Sequence, residues 1–214
     1  MRIALATCDS VPEWEKDDLP LHQALRDRGV ELVQPSWSDT SVDWSAFDAC
    51  LIRTTWDYTE HRDAYVAWAS RAGEQTLLMN DAEVVRWNTH KSYLRELGQR
   101  GVPIVPTLWL PAGSSVDLER SMEERGWDRG FIKPLVGATA RETLRFNRDQ
   151  QGLAEARAHL DRLLPEEDLM VQPYIASVET FGEVSALFID GRFSHGVRKI
   201  PVAGDYRVQD DWGA

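Results

Sequence analysis

Residues 183–214 run EVSALFIDGRFSHGVRKIPVAGDYRVQDDWGA. Two alternating apolar runs flank Asp190-Gly191, a dipeptide that favours a two-residue hairpin turn because both positions tolerate positive φ. With such a turn and an unbroken ladder, Val184, Ala186, Phe188, Phe193 and Val197 share one face, with Lys199 following them. Glu183, Ser185, Ser194 and Arg198 take the other face, and Glu183 falls opposite Arg198. Beyond the hairpin the chain turns glycine-punctuated and acidic, yet it keeps Arg198, Lys199 and Arg207 close in sequence. In a chain with a formal net charge of −11, such a local cationic cluster raises the question of which anion it holds.

The 214 residues are 43% hydrophobic and 28% charged, enough to bury a sizeable core in one large domain or two small ones. The acidic balance disfavours non-specific attraction to nucleic acid or an anionic membrane. The N-terminal MRIALATCDS meets charge too early for a signal peptide, and no apolar run approaches spanning length. The expectation is a cytoplasmic protein with neither nucleic acid nor membrane as partner. Cys8 and Cys50 each end a short apolar run without a CxxC spacing, which suits small buried residues better than a metal or redox pair. Trp14, Trp37, Trp44, Trp56, Trp68 and Trp87 read mostly as core or interface anchors.

Working back toward the N-terminus, RIALA, VELV, DACLIRT and TLLMN alternate with helical patterns. That grammar predicts βαβ units and a mostly parallel sheet. Gly29 stands where a C′ glycine would close the helix LHQALRDRG, and Gly73 has the same place after RDAYVAWASRA. Lys91 belongs to a further helical stretch, THKSYLRELGQRG. VPIVPTLWLPAG holds three prolines and allows only an edge strand or linker, so the main boundary falls near residue 105. Further on, SSVDLERSMEERG reads as a helix opened by Ser114 or Ser115. GFIKPL and ETLRFN read as strands, DQQGLAEARAHLDRLL as a helix, and LMVQPYI as an apolar strand. The expected domains are 1–104, 105–167 and 168–214.

There is no Walker A sequence, no GxGxxG after a strand, no HExxH, no zinc spacing and no GxSxG. What remains is a dispersed set of cations and carboxylates. Lys133 lies inside the apolar GFIKPLVGATA, where its ammonium either snorkels or meets an anion that offsets desolvation. The small-residue turn VGATARET that follows could close backbone N–H groups over phosphates. Read alone, Lys91 is a solvated helix lysine. LMVQPYI, followed by Glu179 and Glu183, offers an apolar backbone edge for an adenine and a carboxylate for a ribose, or is an ordinary edge strand. In LIRTTWDY, residues Arg53, Thr54 and Asp57 follow an apolar strand at the end that lines the ligand crevice of open α/β sheets. An arginine there could fork a substrate carboxylate.

The order NTHK, FIKPLVGATARET, LMVQPYI, SVETFGEVSALFIDGRFSHGVRKIP and GDYRVQDDWG resembles the ATP-grasp superfamily. The nearest branch is that of prokaryotic glutathione synthetase and the D-cycloserine-forming cyclo-ligase. The resemblance covers roughly residues 80–214. It implies an α/β fold, with an N-terminal βαβ-type parallel-sheet domain followed by an incomplete α+β ATP-grasp fold. By the same resemblance, Lys91 and Lys133 hold the α- and β-phosphates of ATP. Gln172, Tyr174 and Ile175 lie along the adenine, and Glu179 or Glu183 meets the ribose. Lys199 and Arg207 stand near the γ-phosphate and the acyl-phosphate intermediate, as the catalytic cations. Phosphoryl transfer is mainly positioning and charge neutralisation, so a set of cations without a nucleophile suits it.

The implied activity is an ATP-dependent ligation of a carboxylate to an amine or other nitrogen nucleophile, on a small amino-acid-like substrate. Ser185 departs from the glutathione synthetase pattern, which has arginine there. The Mg²⁺ ligands of the family are expected beyond residue 214, so the chain reads as a truncated relative. The rival expectation is a nucleotide-binding remnant or interaction module that cannot place Mg²⁺. An unpaired sheet edge near the C-terminus would also favour a homo-oligomer.

Overall fold

The computed structural model describes residues 1–11, 15–208 and 213–214. Trp14, singled out in the sequence, and Asp210 and Asp211 of the GDYRVQDDWG motif lie outside the described residues. The chain divides into two compact units, Met1–Val102 and Pro103–Ala214.

The first unit runs β1 (Arg2–Thr7), α1 (Leu19–Arg26), β2 (Glu31–Val33), β3 (Ala49–Thr54), α2 (Arg62–Gln75), β4 (Leu77–Met79), α3 (Ala82–Asn88) and α4 (Tyr93–Gln99). Its sheet has the order β2-β1-β3-β4 and every pair is parallel, as the strand-helix alternation predicts. Near-continuous burial along β1 is what a parallel sheet covered on both faces requires. One core cluster holds Trp37, Trp44, Phe47, Tyr65 and Trp68 with both cysteines. Trp37 meets Tyr65 edge-on at 5.2 Å, and Trp44 meets Trp68 at 5.3 Å. Trp56 and Trp87 are exposed. The cysteines are free and buried, and burial pushes the Cys50 thiol up to about 12.

Two local expectations need correction here. Gly29 does adopt the positive φ (+75°) of a helix-closing residue, but Gly73 lies within α2, which continues to Gln75. A Cβ at Gly73 would meet Leu78 at 3.8 Å, an ordinary contact, so neither helix ending nor close packing requires a glycine there. Lys91 sits in a turn ahead of α4 and not on a helix. The intervening α3 was not legible as a helix; its signal is Asp81, whose carboxylate accepts from the Val84 N–H at 2.8 Å.

The second unit runs β5 (Leu108–Leu110), α5 (Leu118–Glu123), β6 (Arg129–Pro134), β7 (Leu144–Asn147), α6 (Gln150–Leu163), β8 (Leu169–Pro173), α7 (Ser177–Thr180), β9 (Glu183–Ile189) and β10 (Arg192–Lys199). β5-β8-β6-β7 form an antiparallel sheet with β5, flanked by Pro106 and Pro111, at its edge. The N-cap of α5 is Asp117, not Ser114 or Ser115; its carboxylate accepts from the Arg120 N–H at 3.1 Å. Leu118, Met122, Leu153, Ala156 and Leu160 pack on Ile132, Phe146 and Val171. Burial alternates strictly along β6, so Arg129, Phe131 and Lys133 project from the face opposite those helices.

β9 and β10 pair as a separate two-stranded sheet. The turn has two residues, with Asp190 at φ 51° and Gly191 at φ 68°, both left-handed as expected. The unbroken ladder is corrected. Phe193 pairs with Phe188 but His195 with Leu187, so Ser194 is an extra residue and the register shifts by one. Beyond the bulge Arg198 faces Val184, and Lys199 faces Glu183.

Candidate functional site

The bulge moves Lys199 onto the Glu183 face, because a one-residue slip exchanges the two faces of a strand. Gly182 makes this approach feasible. Its φ is +87°, and a Cβ there would stand 2.1 Å from the Lys199 carbonyl oxygen. Across the unit, burial lowers the pKa of Lys133, and the Glu183 carboxylate partly opposes that shift. Lys133 of the sheet and Glu183 of the hairpin thus interact electrostatically, and Lys199 stands opposite Glu183 in the hairpin register. An ammonium largely removed from water, with one carboxylate to offset it, is a favourable place for a further anion.

Along the same sheet face, Phe131 lies beside Lys133 on β6, and Gln172 stands across from Phe131 on β8. Gln172 is buried and donates from Nε2 to the Thr107 hydroxyl at 2.8 Å. Tyr174 follows, its ring 6.2 Å from that of Phe131. Ile175 is exposed at the end of the strand. Glu179 is already engaged: it accepts from the Tyr174 hydroxyl at 2.6 Å and from Arg145 at 2.7 Å, and Arg129 lies 3.6 Å away. The Tyr174 hydroxyl, ahead of the two arginines, holds the Glu179 carboxyl below its usual range. Arg145 also stacks at 5.4 Å from the Tyr174 ring centre and 5.3 Å from that of Tyr206. Tyr206 meets Phe131 edge-on at 5.2 Å.

Arg129, Phe131, Arg145 and Tyr206 therefore belong to this surface although sequence reading did not select them. Counting in twos from Lys133 along β6 reaches Phe131 and Arg129; Arg145 and Tyr206 arrive through strand pairing and a loop that no local pattern encodes. Arg207 is chelated by its neighbour Asp205, with Nε 3.0 and 2.9 Å and Nη2 2.6 Å from the carboxylate oxygens. That pairing, with backbone donors, holds Asp205 far below the ordinary carboxylate range.

After β6, residues 135–143 make a tight turn in which Thr139, Ala140 and Glu142 adopt φ of 49°, 58° and 51°. Each such non-glycine residue costs on the order of 1–3 kcal/mol, and a turn of this kind can aim backbone N–H groups at an anion.

The remaining sequence candidates lie in the first unit. Lys91 occupies the turn before α4, beside His90, whose Nδ1 is 2.8 Å from the Ser92 hydroxyl. Arg53 is turned to Asp18, which takes both Nε and Nη2. Thr54 is buried and donates to Thr7 Oγ1 at 2.7 Å. Asp57 accepts from the Trp37 indole at 2.7 Å and lines a cavity of about 580 Å³ with Asp9, Asp39, Trp68 and Arg71. The three chosen from LIRTTWDY therefore diverge, and Asp57 alone of them reaches that cavity. Among the described residues, no group of three or more His, Cys, Asp or Glu side chains could hold a metal ion, and no helix is long and apolar enough to cross a membrane.

Residues 3–80 match the family described as the N-terminal domain of D-cycloserine synthetase DcsG. The chain is 34% identical over 185 residues to the cycloserine biosynthesis protein DcsG of Streptomyces lavendulae, covering 84% of this chain and 61% of that protein. It therefore spans about three fifths of that curated relative's length. The crystal structure of D-cycloserine synthetase DcsG superposes with a TM-score of 0.86 at 30% identity, over 99% of this chain and 73% of the other. D-alanine–D-alanine ligase from Bacillus anthracis, complexed with ATP, shares the fold at a TM-score of 0.64 and 12% identity, over 96% and 68% of the two chains.

Proposed function

The chain belongs to the D-cycloserine synthetase family of ATP-grasp ligases, and from that premise we propose that it binds ATP on the Lys133 face of its second unit. We assign the ligation of a carboxylate to an amine or related nitrogen nucleophile on a small amino-acid-like substrate. The observation that carries this reading is Lys133 itself, a lysine held away from water with Glu183 to offset it and a strained turn directly after it.

In this reading Lys133 neutralises charge on the α- and β-phosphates. Phe131, Gln172, Tyr174 and Ile175 line the adenine. Thr107 occupies one Gln172 N–H and so orients the amide, leaving its carbonyl to accept from the base. Glu183 takes the ribose in preference to Glu179, whose carboxylate is held by Tyr174 and Arg145. Lys199 faces Glu183 and supplies positive charge near the transferred phosphoryl group. Arg207 does the same when the phosphate draws it from Asp205. Such cations act by stabilising charge that develops in the transition state, and they need move no proton. ATP supplies the phosphoryl group that activates the carboxylate, and the nitrogen then displaces phosphate. Asp57 and its cavity are assigned to the amino-acid-like substrate. Mg²⁺ is assigned to none of the described residues.

The test is Mg²⁺-dependent release of phosphate from ATP in the presence of small amino acids, with hydroxylamine to trap an acyl phosphate. Phosphate release with a trapped hydroxamate supports the ligase. The second reading is a nucleotide-binding remnant or interaction module. The remnant is supported if ATP binds but neither product forms, and absence of ATP binding overturns both it and the ligase.

A further inference from the structure

We infer that Glu167 and Arg162 are positioning residues of the turn at 139–142, clamping it in its left-handed conformation before any nucleotide arrives. The inference rests on the nucleotide reading above, because the turn matters to function only if it meets phosphates. Three non-glycine residues within four positions lie at positive φ, and such backbone persists only where its surroundings over-determine it.

Here two consecutive side chains are fixed by opposite charges. Arg141 forms a two-pronged pair with Glu167, Nη1 to Oε2 at 2.9 Å and Nη2 to Oε1 at 2.8 Å. Glu142 receives both Nη atoms of Arg162, Nη1 at 3.1 Å and Nη2 at 2.5 Å. The Glu142 carbonyl oxygen also lies 3.1 Å from His159 Nε2. A fork-to-fork pair fixes orientation as well as distance, so two on adjacent residues constrain the torsions between them. Both anchors come from neighbouring parts of the fold: Arg162 and His159 from the end of α6, Glu167 from the connection into β8. That connection is tied to the start of the turn, since the Leu135 N–H donates to the Asp168 carbonyl at 2.9 Å. The turn is thereby held from outside, which spares the bound nucleotide the entropic cost of ordering it.

The experiment compares the 214-residue chain with Glu167→Gln and Arg162→Gln by ATP titration, amide hydrogen exchange over residues 138–143, and thermal melting. Each variant should bind ATP about tenfold more weakly and exchange faster in the turn, with an unchanged melting temperature. Exchanging the charges, Arg141→Glu with Glu167→Arg, should restore both turn protection and ATP affinity. Unaltered affinity in both single variants overturns the inference. So does an exchanged pair that protects the turn without restoring affinity, because Arg141 would then itself be the phosphate ligand. If the unaltered chain binds no ATP, the nucleotide reading fails, and hydrogen exchange still decides whether the clamp exists.

Discussion

At Lys133 the requirements of stability and of binding oppose each other. Burial lowers its pKa, so the folded protein carries a penalty for the charged form that a phosphate would relieve. Lys133→Ala is expected to weaken ATP binding by about 10- to 100-fold, the range for a lost charge-assisted contact. Lys16→Ala, in the short turn Lys16–Asp18 of the other unit, should leave it unchanged; equal ATP affinity in the two variants would remove Lys133 from the site. Lys133→Met should stabilise the fold by about 1 kcal/mol while losing the nucleotide, as substitutions at strained functional positions often do. Denaturant unfolding measures the first effect and titration the second. The pH dependence has a definite sign. Between the lowered folded pKa and the unfolded value near about 10.4, the unfolded chain binds more protons, so stability from this group rises with pH. ATP restores the charged form. Its binding in that window should therefore take up a proton and weaken as pH rises, which calorimetry in buffers of different ionisation heat would detect.

Among the secondary elements, the hairpin β9–β10 carries the most consequence for the site. Gly191 at its turn and Gly182 just ahead of β9 both have positive φ but different surroundings. No atom lies within 4 Å of a Cβ built at Gly191, whereas one at Gly182 collides with the Lys199 carbonyl. Gly191→Ala should cost only the left-handed backbone penalty, about 1–2 kcal/mol. Gly182→Ala should cost more and also displace Lys199 from Glu183. Hydrogen exchange along the hairpin and ATP titration separate these outcomes: similar losses in both variants would refute the role given to Gly182. The turn at Asp190-Gly191 was legible because its chemistry is local. The bulge at Ser194 was not, since its position depends on how the strands twist and pair, and it decides whether Arg198 or Lys199 meets Glu183.

For the molecule as a whole, the hairpin leaves Val184, Phe188, Ile189, Phe193 and Val197 exposed. An apolar two-stranded sheet with open edges favours association. The chain should therefore self-associate with rising concentration in sedimentation velocity, and Phe188→Lys with Phe193→Lys should reduce that association without altering ATP affinity. Concentration-independent sedimentation would refute the expectation. In the first unit the apolar mass is instead drawn inward, where Trp37, Trp44, Tyr65 and Trp68 pack around one another. Trp68→Ala should cost about 3–5 kcal/mol in unfolding.

The sequence by itself determined the mostly parallel sheet of the first unit, the apolar strand that holds Lys133, and the two-residue turn of the hairpin. Each follows from periodicity or turn chemistry acting over a few residues. It also carried the ATP-grasp resemblance, through the order of five short motifs. Only the tertiary structure decided that Arg53 turns to Asp18, that Glu179 is held by Tyr174 and Arg145, and that Lys199 meets Glu183. It alone showed how Glu167 and Arg162 hold the turn after β6. Apart from Tyr174 and Glu179, which are near in sequence, those partners lie 16 to 35 positions apart in the chain. Charge has no periodicity that specifies a distant partner, so these pairings emerge only when strands and helices close on one another.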